Sequence, residues 1–334
     1  MVLAVLNPGA GPATSTVGYE EQVDRKIAFL FPGQNSQRVG MGRALCETYP
    51  RIKEQFFDRA DEVLGFPLSR LCFEGPEEEL VLTENQQPAI FLVSAAIHAV
   101  LQTRGIAPGV LAGHSLGEYS ALLAAGSFDF EEGLRLTRRR GELMAEVAAR
   151  TGGIMAAILG MPASQVEEIV REASAEGVAE IANFNSPTQT VISGEEAAIR
   201  RAMDLARERG AQRVVQLQVS APFHCSLMAP LASAFEPVLE SASIQDARIP
   251  VVANVTAEFE RSAGEIRRNL VTQLAAPVRW SWSVRRLIEE GYRTFVEVGP
   301  GKALTGMMKA IDPSVAAYPT IDPVTIEKTL GQLG

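Results

Sequence analysis

Residues 110–121 read V-L-A-G-H-S-L-G-E-Y-S-A and place a short apolar strand before Gly113-His114-Ser115-Leu116-Gly117 and an Ala/Leu-rich helix after it. A strand, a sharp turn and a helix around G-x-S-x-G are the context of a nucleophile elbow, whose glycines allow a tight turn that holds a serine hydroxyl above the sheet edge. Ser115 then lies at a helix N-terminus, where the helix dipole and the free NH of Leu116 face negative charge on an attacked carbonyl oxygen. The pattern is short, so the alternative is a glycine-containing turn with an incidental serine.

Length and composition limit the classes of protein to consider. The chain has 334 residues, of which 46% are hydrophobic, enough for one large domain or two. A net charge of -9 without a long Lys/Arg run argues against nucleic acid or an anionic membrane as the main partner. No apolar run is long enough to span a bilayer, and residues 1–25 are predicted to be a flexible arm rather than a signal peptide.

The cysteines indicate the compartment. Cys46, Cys72 and Cys225 form neither a disulfide framework nor a C-x-x-C metal pattern. We therefore expect a reduced, cytoplasmic chain without a bound metal.

The first folded segment is predicted to be a buried parallel strand. Residues 26–31, K-I-A-F-L-F, form a continuous apolar run that ends at P-G-Q-N-S-Q. Open α/β sheets bind ligands in loops at the carboxyl ends of their strands. The alternative is a plain Pro-Gly turn, although its polar run is unusual for a simple connector.

A helix is predicted over residues 131–150, and it carries one unusual arginine. Arg140 falls in the middle of an apolar side that includes Leu136, Leu143 and Val147, whereas Arg138 points to the opposite face. An arginine on an apolar face is costly to desolvate unless an anion meets it. That anion is either a carboxylate of the protein or a carboxylate of a ligand.

The segment from residue 152 to 217 has a different pattern. Its predicted elements follow the order β-α-β-β-α-β, which is the ferredoxin-like arrangement. We therefore expect a small subdomain at 151–217 inserted into a larger, discontinuous α/β domain formed by 26–150 and 218–320.

A candidate general base follows the predicted subdomain. Residues 219–228, V-S-A-P-F-H-C-S-L-M, present His224 where the chain returns to the larger domain and the two units would form a cleft. The alternative is a loop histidine with a structural role. The other two histidines, His98 in an apolar segment and His114 in the elbow, are expected to be structural. With an ordinary pKa of about 6.5, His224 would make the rate rise across roughly pH 6 to 8.

Seven ordered motifs, F-P-G-Q-N-S-Q, N-Q-Q-P-A-I, G-H-S-L-G-E-Y, R-R-G-E-L-M, N-F-N-S-P, A-P-F-H-C and F-V-E-V-G-P-G-K-A-L, extend over residues 26–309. In this order they closely resemble malonyl-CoA:acyl-carrier-protein transacylases and the acyltransferase domains of fatty-acid and polyketide synthases. The resemblance implies an α/β-hydrolase-like large domain with an inserted ferredoxin-like subdomain, in agreement with the order of elements above.

The resemblance also implies a role for individual residues. Ser115 matches the nucleophile and His224 the general base, and Arg140 matches the arginine that binds the free carboxylate of a malonyl group. Gln34 and Leu116 match the backbone NH donors of the oxyanion hole, and Gln273 matches the residue whose main-chain carbonyl orients the histidine, so no acid is needed to complete a triad.

The implied reaction is a double displacement. Malonyl-CoA acylates Ser115, and the phosphopantetheine thiol of an acyl carrier protein then takes the malonyl group, with no cofactor. One departure from the family pattern is Asn35, which stands where the family usually has glycine. If that position requires a positive φ, the loop is slightly strained, although asparagine tolerates this better than most residues.

Three other functions share part of this pattern. A serine hydrolase (esterase, lipase or thioesterase) shares the elbow, histidine and oxyanion donors, but Arg140 and the inserted subdomain argue against it. A freestanding acyltransferase that loads a polyketide synthase in trans has nearly the same motifs. A non-catalytic module that binds carrier proteins is expected to lack Ser115 or His224, and both are present.

Overall fold

The structure is a computed structural model that describes residues 26–219 and 221–333; the predicted arm at 1–25 lies outside them. The strands are β1 (Ile27–Phe31), β2 (Val110–Gly113), β3 (Ile154–Leu159), β4 (Ala179–Ser186), β5 (Gln189–Gly194), β6 (Arg213–Gln216), β7 (Val251–Val252), β8 (Phe259–Glu260), β9 (Thr294–Val298) and β10 (Ala316–Thr320).

The helices are α1 (Arg43–Thr48), α2 (Pro50–Ile52), α3 (Arg59–Leu64), α4 (Leu68–Glu74), α5 (Glu77–Leu80), α6 (Thr83–Thr103), α7 (Gly117–Ala124), α8 (Phe130–Thr151), α9 (Ala163–Ala173), α10 (Glu196–Glu208), α11 (Ala229–Ser241), α12 (Ala263–Gln273), α13 (Trp280–Glu289), α14 (Ala303–Ile311) and α15 (Pro323–Leu333). A π-helical turn, Lys53–Asp58, joins α2 to α3. No helix in the described part of the chain is both long and apolar enough to cross a membrane.

The larger sheet has the strand order β10-β9-β1-β2-β7-β8, and its strands are parallel except for β8, which is antiparallel to β7. All five residues of β1 are buried, as expected for a strand covered on both faces. Phe31 at the end of β1 lies opposite Gly113 at the end of β2. This register brings the loop after β1 next to the elbow after β2.

The smaller sheet has the antiparallel order β4-β5-β3-β6, with helices α9 and α10 packed against it around Ile158, Val166, Ile192 and Ile199. The order of its strands and helices along the chain is β-α-β-β-α-β, so the predicted ferredoxin-like arrangement is confirmed. Together the two sheets confirm the predicted fold class, a large α/β-hydrolase-like unit with a small inserted one.

Backbone hydrogen bonds fix the small sheet to the large unit near the elbow. The NH of Phe184 in β4 donates to the carbonyl of Val278 at 2.9 Å, and the NH of Val278 donates to Ala182 at 2.8 Å. The carboxylate of Glu180 also accepts from the backbone NH of Ser226 at 2.8 Å. The loop that carries His224 is therefore held between the two units.

Two features differ from the expected elements. The strand expected near residues 250–255 is limited to β7, because the chain turns where the NH of Ala253 donates to Glu258 and Ala257 has a φ of 58°. The fold also continues beyond residue 320, since Ile326 of α15 is fully buried in the main core.

Candidate active site

The turn at Ser115 is tight because glycines flank it on both sides. A Cβ atom at Gly113 would lie 1.9 Å from the carbonyl oxygen of Gly117, and one at Gly117 would lie 2.0 Å from the carbonyl oxygen of Phe31. Ser115 itself has a φ of 53°, in the left-handed region that few non-glycine residues adopt. The elbow is thus a strained turn that only this glycine spacing permits.

His224 and Gln273 complete a hydrogen-bonded row with the serine. Ser115 Oγ lies 2.8 Å from His224 Nε2, and His224 Nδ1 lies 2.8 Å from the main-chain oxygen of Gln273. Nδ1 therefore donates to the carbonyl, and Nε2 is left to accept the serine proton. All three residues are buried.

The environment of His224 keeps its ring neutral. Burial, with a further contribution from the positive charge of Arg140, lowers the pKa of His224 from 6.5 to about 3. The histidine is therefore ready to act as a base well below neutral pH, and the rise in rate expected across roughly pH 6 to 8 does not follow.

The loop after β1 supplies the second predicted oxyanion donor. A Cβ atom at Gly33 would lie 2.4 Å from the carbonyl oxygen of His114, so the loop packs directly on the elbow. The side chain of Gln34 donates to Gln86 Oε1 at 2.8 Å, which fixes the loop to α6. Among the described residues, neither the NH of Gln34 nor that of Leu116 has a backbone acceptor. Both are available to an anionic oxygen.

Asn35, the departure from the family pattern, has a φ of 71° and is exposed. This position does require the left-handed conformation that glycine adopts without cost. Asparagine is among the residues that tolerate it best.

Arg140 reaches the nucleophile from α8 and is fully buried. Its Nη1 donates to Gln87 Oε1 at 2.7 Å, and its Nη2 donates to Gln273 Oε1 at 2.9 Å and to Ser115 Oγ at 3.2 Å. All three acceptors are neutral, and burial lowers the pKa of Arg140. The helix pattern left two possible anions for Arg140, a carboxylate of the protein or a carboxylate of a ligand. Among the described residues, no protein carboxylate is hydrogen-bonded to Arg140.

The other two histidines lie outside this row. His98 packs edge-on against Phe29 and Phe31, and burial lowers its pKa to about 4. The His114 ring packs at a tilt against Trp280, with ring centroids 5.5 Å apart, and its Nε2 lies 2.8 Å from Asn185 Oδ1, which ties the elbow to the small sheet. Both contacts are structural, as expected from the sequence.

Several site residues were missed by the sequence analysis. Asn254 holds the elbow, because its Oδ1 accepts from the NH of Ser115 and its Nδ2 donates to the carbonyl of Gly113, both at 2.6 Å. Gln87 contacts Arg140, and Glu118 Oε2 accepts from Gln273 Nε2 at 2.8 Å. Gln87 and Glu118 lie inside two of the motifs quoted above, N-Q-Q-P-A-I and G-H-S-L-G-E-Y, whereas the only signal for Asn254 is one polar side chain after an apolar run.

The described part of the chain contains no group of three or more His, Cys, Asp or Glu side chains arranged to hold a metal ion. The side chains that converge on Ser115 Oγ are an imidazole and a guanidinium. Such a site activates a serine and binds an anion beside it.

Comparison with known proteins gives consistent results. The family model described as acyl transferase domain matches residues 28–319. The malonyl CoA-acyl carrier protein transacylase of Bacillus subtilis (strain 168) is 45% identical over 309 residues, which cover 92% of this chain and 97% of the relative.

Two solved structures are similar over the same extent. One is the malonyl-CoA:acyl carrier protein transacylase of Xanthomonas oryzae pv. oryzae, with a TM-score of 0.89, 41% identity and coverage of 92% of this chain and 98% of the other. The second is a type II polyketide-synthase acyl-carrier protein in complex with its malonyl-transacylase, with a TM-score of 0.89, 41% identity and coverage of 92% and 99%.

Proposed function

The chain belongs to the acyl transferase domain family, and from that premise we propose that Ser115, His224 and Arg140 carry out its reaction. That reaction is the transfer of a malonyl group from malonyl-CoA to the phosphopantetheine thiol of an acyl carrier protein. The predicted enzyme class and substrates are thereby confirmed.

The first half-reaction acylates the serine. Ser115 Oγ attacks the thioester carbonyl carbon of malonyl-CoA while its proton moves to His224 Nε2. The carbonyl oxygen becomes negative and accepts hydrogen bonds from the NH groups of Leu116 and Gln34. The tetrahedral intermediate then breaks its C–S bond, and the CoA sulfur leaves with the proton from His224.

The second half-reaction reverses these steps with another thiol. The phosphopantetheine thiol of the carrier gives its proton to His224 and attacks the acyl carbon of malonyl-Ser115. The C–O bond to Ser115 breaks, and His224 returns the proton to Oγ. Protein groups supply every proton transfer, so we propose a reaction without a cofactor.

Arg140 is the residue that indicates which acyl group the enzyme transfers. Its Nη2 lies 3.2 Å from the nucleophilic oxygen, and its charge is buried beside neutral acceptors. An acyl group bound to Ser115 extends from that oxygen, so a carboxylate at its far end comes within reach of the guanidinium and forms charge-assisted hydrogen bonds. A serine hydrolase that acts on neutral esters has no use for this charge.

The carrier protein belongs to fatty-acid or polyketide synthesis, the two settings in which the similar proteins occur. We also propose a cytoplasmic setting, which the three buried cysteines with free thiols support.

Intact-protein mass spectrometry tests the proposal. Incubation with malonyl-CoA is expected to add one malonyl group, located on Ser115 by peptide mapping, and a holo carrier protein is expected to remove it. Ser115→Ala should form no adduct, whereas Ser120→Ala, which changes a buried serine in the helix that follows Ser115, should retain it. A malonyl group on another residue, or its loss to water with no transfer to the carrier, would contradict the proposal.

A further inference from the structure

Two carboxyl groups lie buried beneath the nucleophile. Glu118 in the first turn of α7 is fully buried, and Glu260 at the end of β8 is 2% exposed. Each carboxyl group is close enough to influence the pKa of the other. The hydrogen bonds they receive come from amides: Glu118 Oε2 from the NH of Asn254 at 3.2 Å and Gln273 Nε2 at 2.8 Å, and Glu260 Oε2 from Asn269 Nδ2 at 2.7 Å.

Such a pair does not ionise twice near neutral pH, because both burial and mutual repulsion oppose the second charge. Burial and the neighbouring Glu260 raise the pKa of Glu118 well above its ordinary value, and burial raises the pKa of Glu260 to about 7. Each carboxyl group also has a buried Oε1 atom without a donor among the described residues. A single proton that Glu118 carries on Oε1 and donates to Glu260 Oε1 gives both of these atoms a hydrogen bond.

The side-chain amide of Gln273 connects Glu118 to Arg140. Gln273 Nε2 donates to Glu118 Oε2 and, at 3.0 Å, to the main-chain oxygen of Ser115, while Gln273 Oε1 accepts from Arg140 Nη2. An amide has one donor end and one acceptor end. The two acceptors at Nε2, Glu118 Oε2 and the Ser115 carbonyl, therefore favour the orientation in which Oε1 faces the guanidinium, and Glu118 makes the shorter of the two hydrogen bonds.

We propose that Glu118 is a positioning residue for malonyl recognition: as a neutral acid it holds the Gln273 amide with Oε1 toward Arg140 and leaves the negative charge of the pair on Glu260. An ionised Glu118 would be a nearer counter-ion for Arg140 and would weaken its attraction for the acyl carboxylate. The inference rests on the proposed malonyl transfer and assigns part of its selectivity to a residue that does not touch the substrate.

The charged and titratable groups around Glu118 come from several elements. Arg140 approaches from α8, Glu260 from β8 with Glu265 of α12 beyond it, and Tyr119 follows on α7. His224, on the loop above, is neutral down to about pH 3. The Glu118–Glu260 pair is therefore the group in this cluster whose pKa is raised above the ordinary range of a glutamate, and the loss of its proton adds negative charge near Arg140.

The first test compares two variants in the acylation half-reaction. Glu118→Gln mimics the protonated acid, since its amide oxygen accepts from Gln273 and its NH₂ donates to Glu260; its preference for malonyl-CoA over acetyl-CoA should stay within about threefold of the wild type. Glu118→Ala removes the acceptor, and that preference should fall by about tenfold or more, chiefly through a higher KM for malonyl-CoA.

The second test uses pH and a spectroscopic signal. The malonyl preference of the wild type should decline at alkaline pH as the pair loses its proton, and the decline should disappear in Glu118→Gln. Infrared difference spectra of wild type against Glu118→Gln, with carboxyl-labelled glutamate, should show the C=O stretch of a protonated acid in the wild type alone. This signal does not depend on activity.

Glu297 provides a matched control. It is a buried carboxyl group with a raised pKa, but the hydrogen bonds that it accepts come from the start of α14, including those from Leu304 and Thr305. Glu297→Gln should change thermal stability without changing the malonyl preference or its pH dependence.

Three results would overturn the role of Glu118: an equal loss of preference in the Gln and Ala variants, an equal fall of malonyl and acetyl transfer in Glu118→Ala, or no protonated-acid band. If Glu118→Ala does not fold, the pH profile and the infrared band still decide. A wild type that forms no malonyl-Ser115 refutes the proposed function instead, so the two failures are distinguishable.

Discussion

Arg140 carries a positive charge in a buried site whose hydrogen-bond acceptors, including Gln87 and Gln273, are all neutral. Removing a desolvated charge partner costs about 3 to 5 kcal/mol. Arg140→Ala is therefore expected to lower kcat/KM for malonyl transfer by about two to three decades, while acetyl transfer falls much less because the apolar lining remains. Parallel assays with malonyl-CoA and acetyl-CoA measure both.

Arg139 is the matched control for this variant. It lies one residue earlier on α8, is exposed, and pairs with Glu142 and Glu146. Arg139→Ala should leave both activities nearly unchanged, since exposed ion pairs contribute little. Equal losses of malonyl and acetyl transfer in Arg140→Ala would show that Arg140 is a structural residue and would favour a hydrolase-type function.

His224 gives a prediction about pH. Its pKa of about 3 means that the neutral base is already formed at mildly acidic pH. At saturating malonyl-CoA the rate of malonyl-Ser115 formation should therefore be constant from about pH 5 to 8 and should fall only as the pH approaches the pKa of His224. Quenched-flow mass spectrometry across this range checks it. A rate that rises tenfold per pH unit between about 5 and 6.5 would show an ordinary histidine pKa.

A prediction about backbone strain follows from the conformation of the loop after β1. Asn35 has a φ of 71°, and its side chain is exposed, so a substitution there acts mainly on the backbone. Asn35→Val should destabilise the left-handed conformation by about 1 to 2 kcal/mol and shift the neighbouring NH of Gln34 away from the oxyanion. We expect kcat for acylation to fall by about tenfold, measured with saturating malonyl-CoA.

Asn35→Gly is the companion variant. Glycine adopts the same φ without strain, so acylation should equal or exceed that of the wild type. Unchanged activity in Asn35→Val would mean that the loop geometry does not depend on this position.

The elements predicted from the sequence are those fixed by local pattern. The apolar run of β1, the elbow and the helix around Arg140 are each defined within about 20 residues by periodicity and glycine spacing. The β-α-β-β-α-β order was predictable for the same reason, since each of its elements has its own periodicity.

The parts not predicted depend on contacts between distant residues. Asn254 meets the elbow across 141 positions, and Gln273 meets Glu118 across 155. Such hydrogen bonds leave no periodic signal, because one polar side chain in an apolar segment is compatible with many partners. The shortened β7 has the same cause, since the turn after it places Asn254 against Gly113 and Ser115.

Buried titratable groups make the stability of the whole chain depend on pH in two opposite ways. Burial lowers the pKa of His98, His114 and His224 below 6.5, so their protonation favours the unfolded chain and stability is lost as the pH falls below about 6.5. Burial raises the pKa of Glu118 and Glu260 above 4.5, so these groups stabilise the folded chain most below that pH, and their contribution is lost as the pH rises.

The two effects overlap and largely cancel between about pH 4.5 and 6.5, where the folded chain binds fewer protons on its histidines and more on its carboxyl groups than the unfolded chain. Above about pH 6.5 the histidine contribution is complete, whereas the raised pKa of Glu118 makes the folded chain keep this proton to a higher pH than the unfolded chain does. The free energy of unfolding should therefore decline toward alkaline pH by about 1.4 kcal/mol per pH unit for each proton still held.

Urea unfolding of the wild type between pH 5 and about 9 measures this decline, and the free energy of unfolding of Glu118→Gln should depend less on pH over the alkaline half of this range. A wild type whose stability rises steadily from about pH 6.5 to 8.5 would contradict the assignment of a neutral acid beneath the nucleophile, because a folded chain that holds a proton which the unfolded chain has lost becomes less stable as the pH rises.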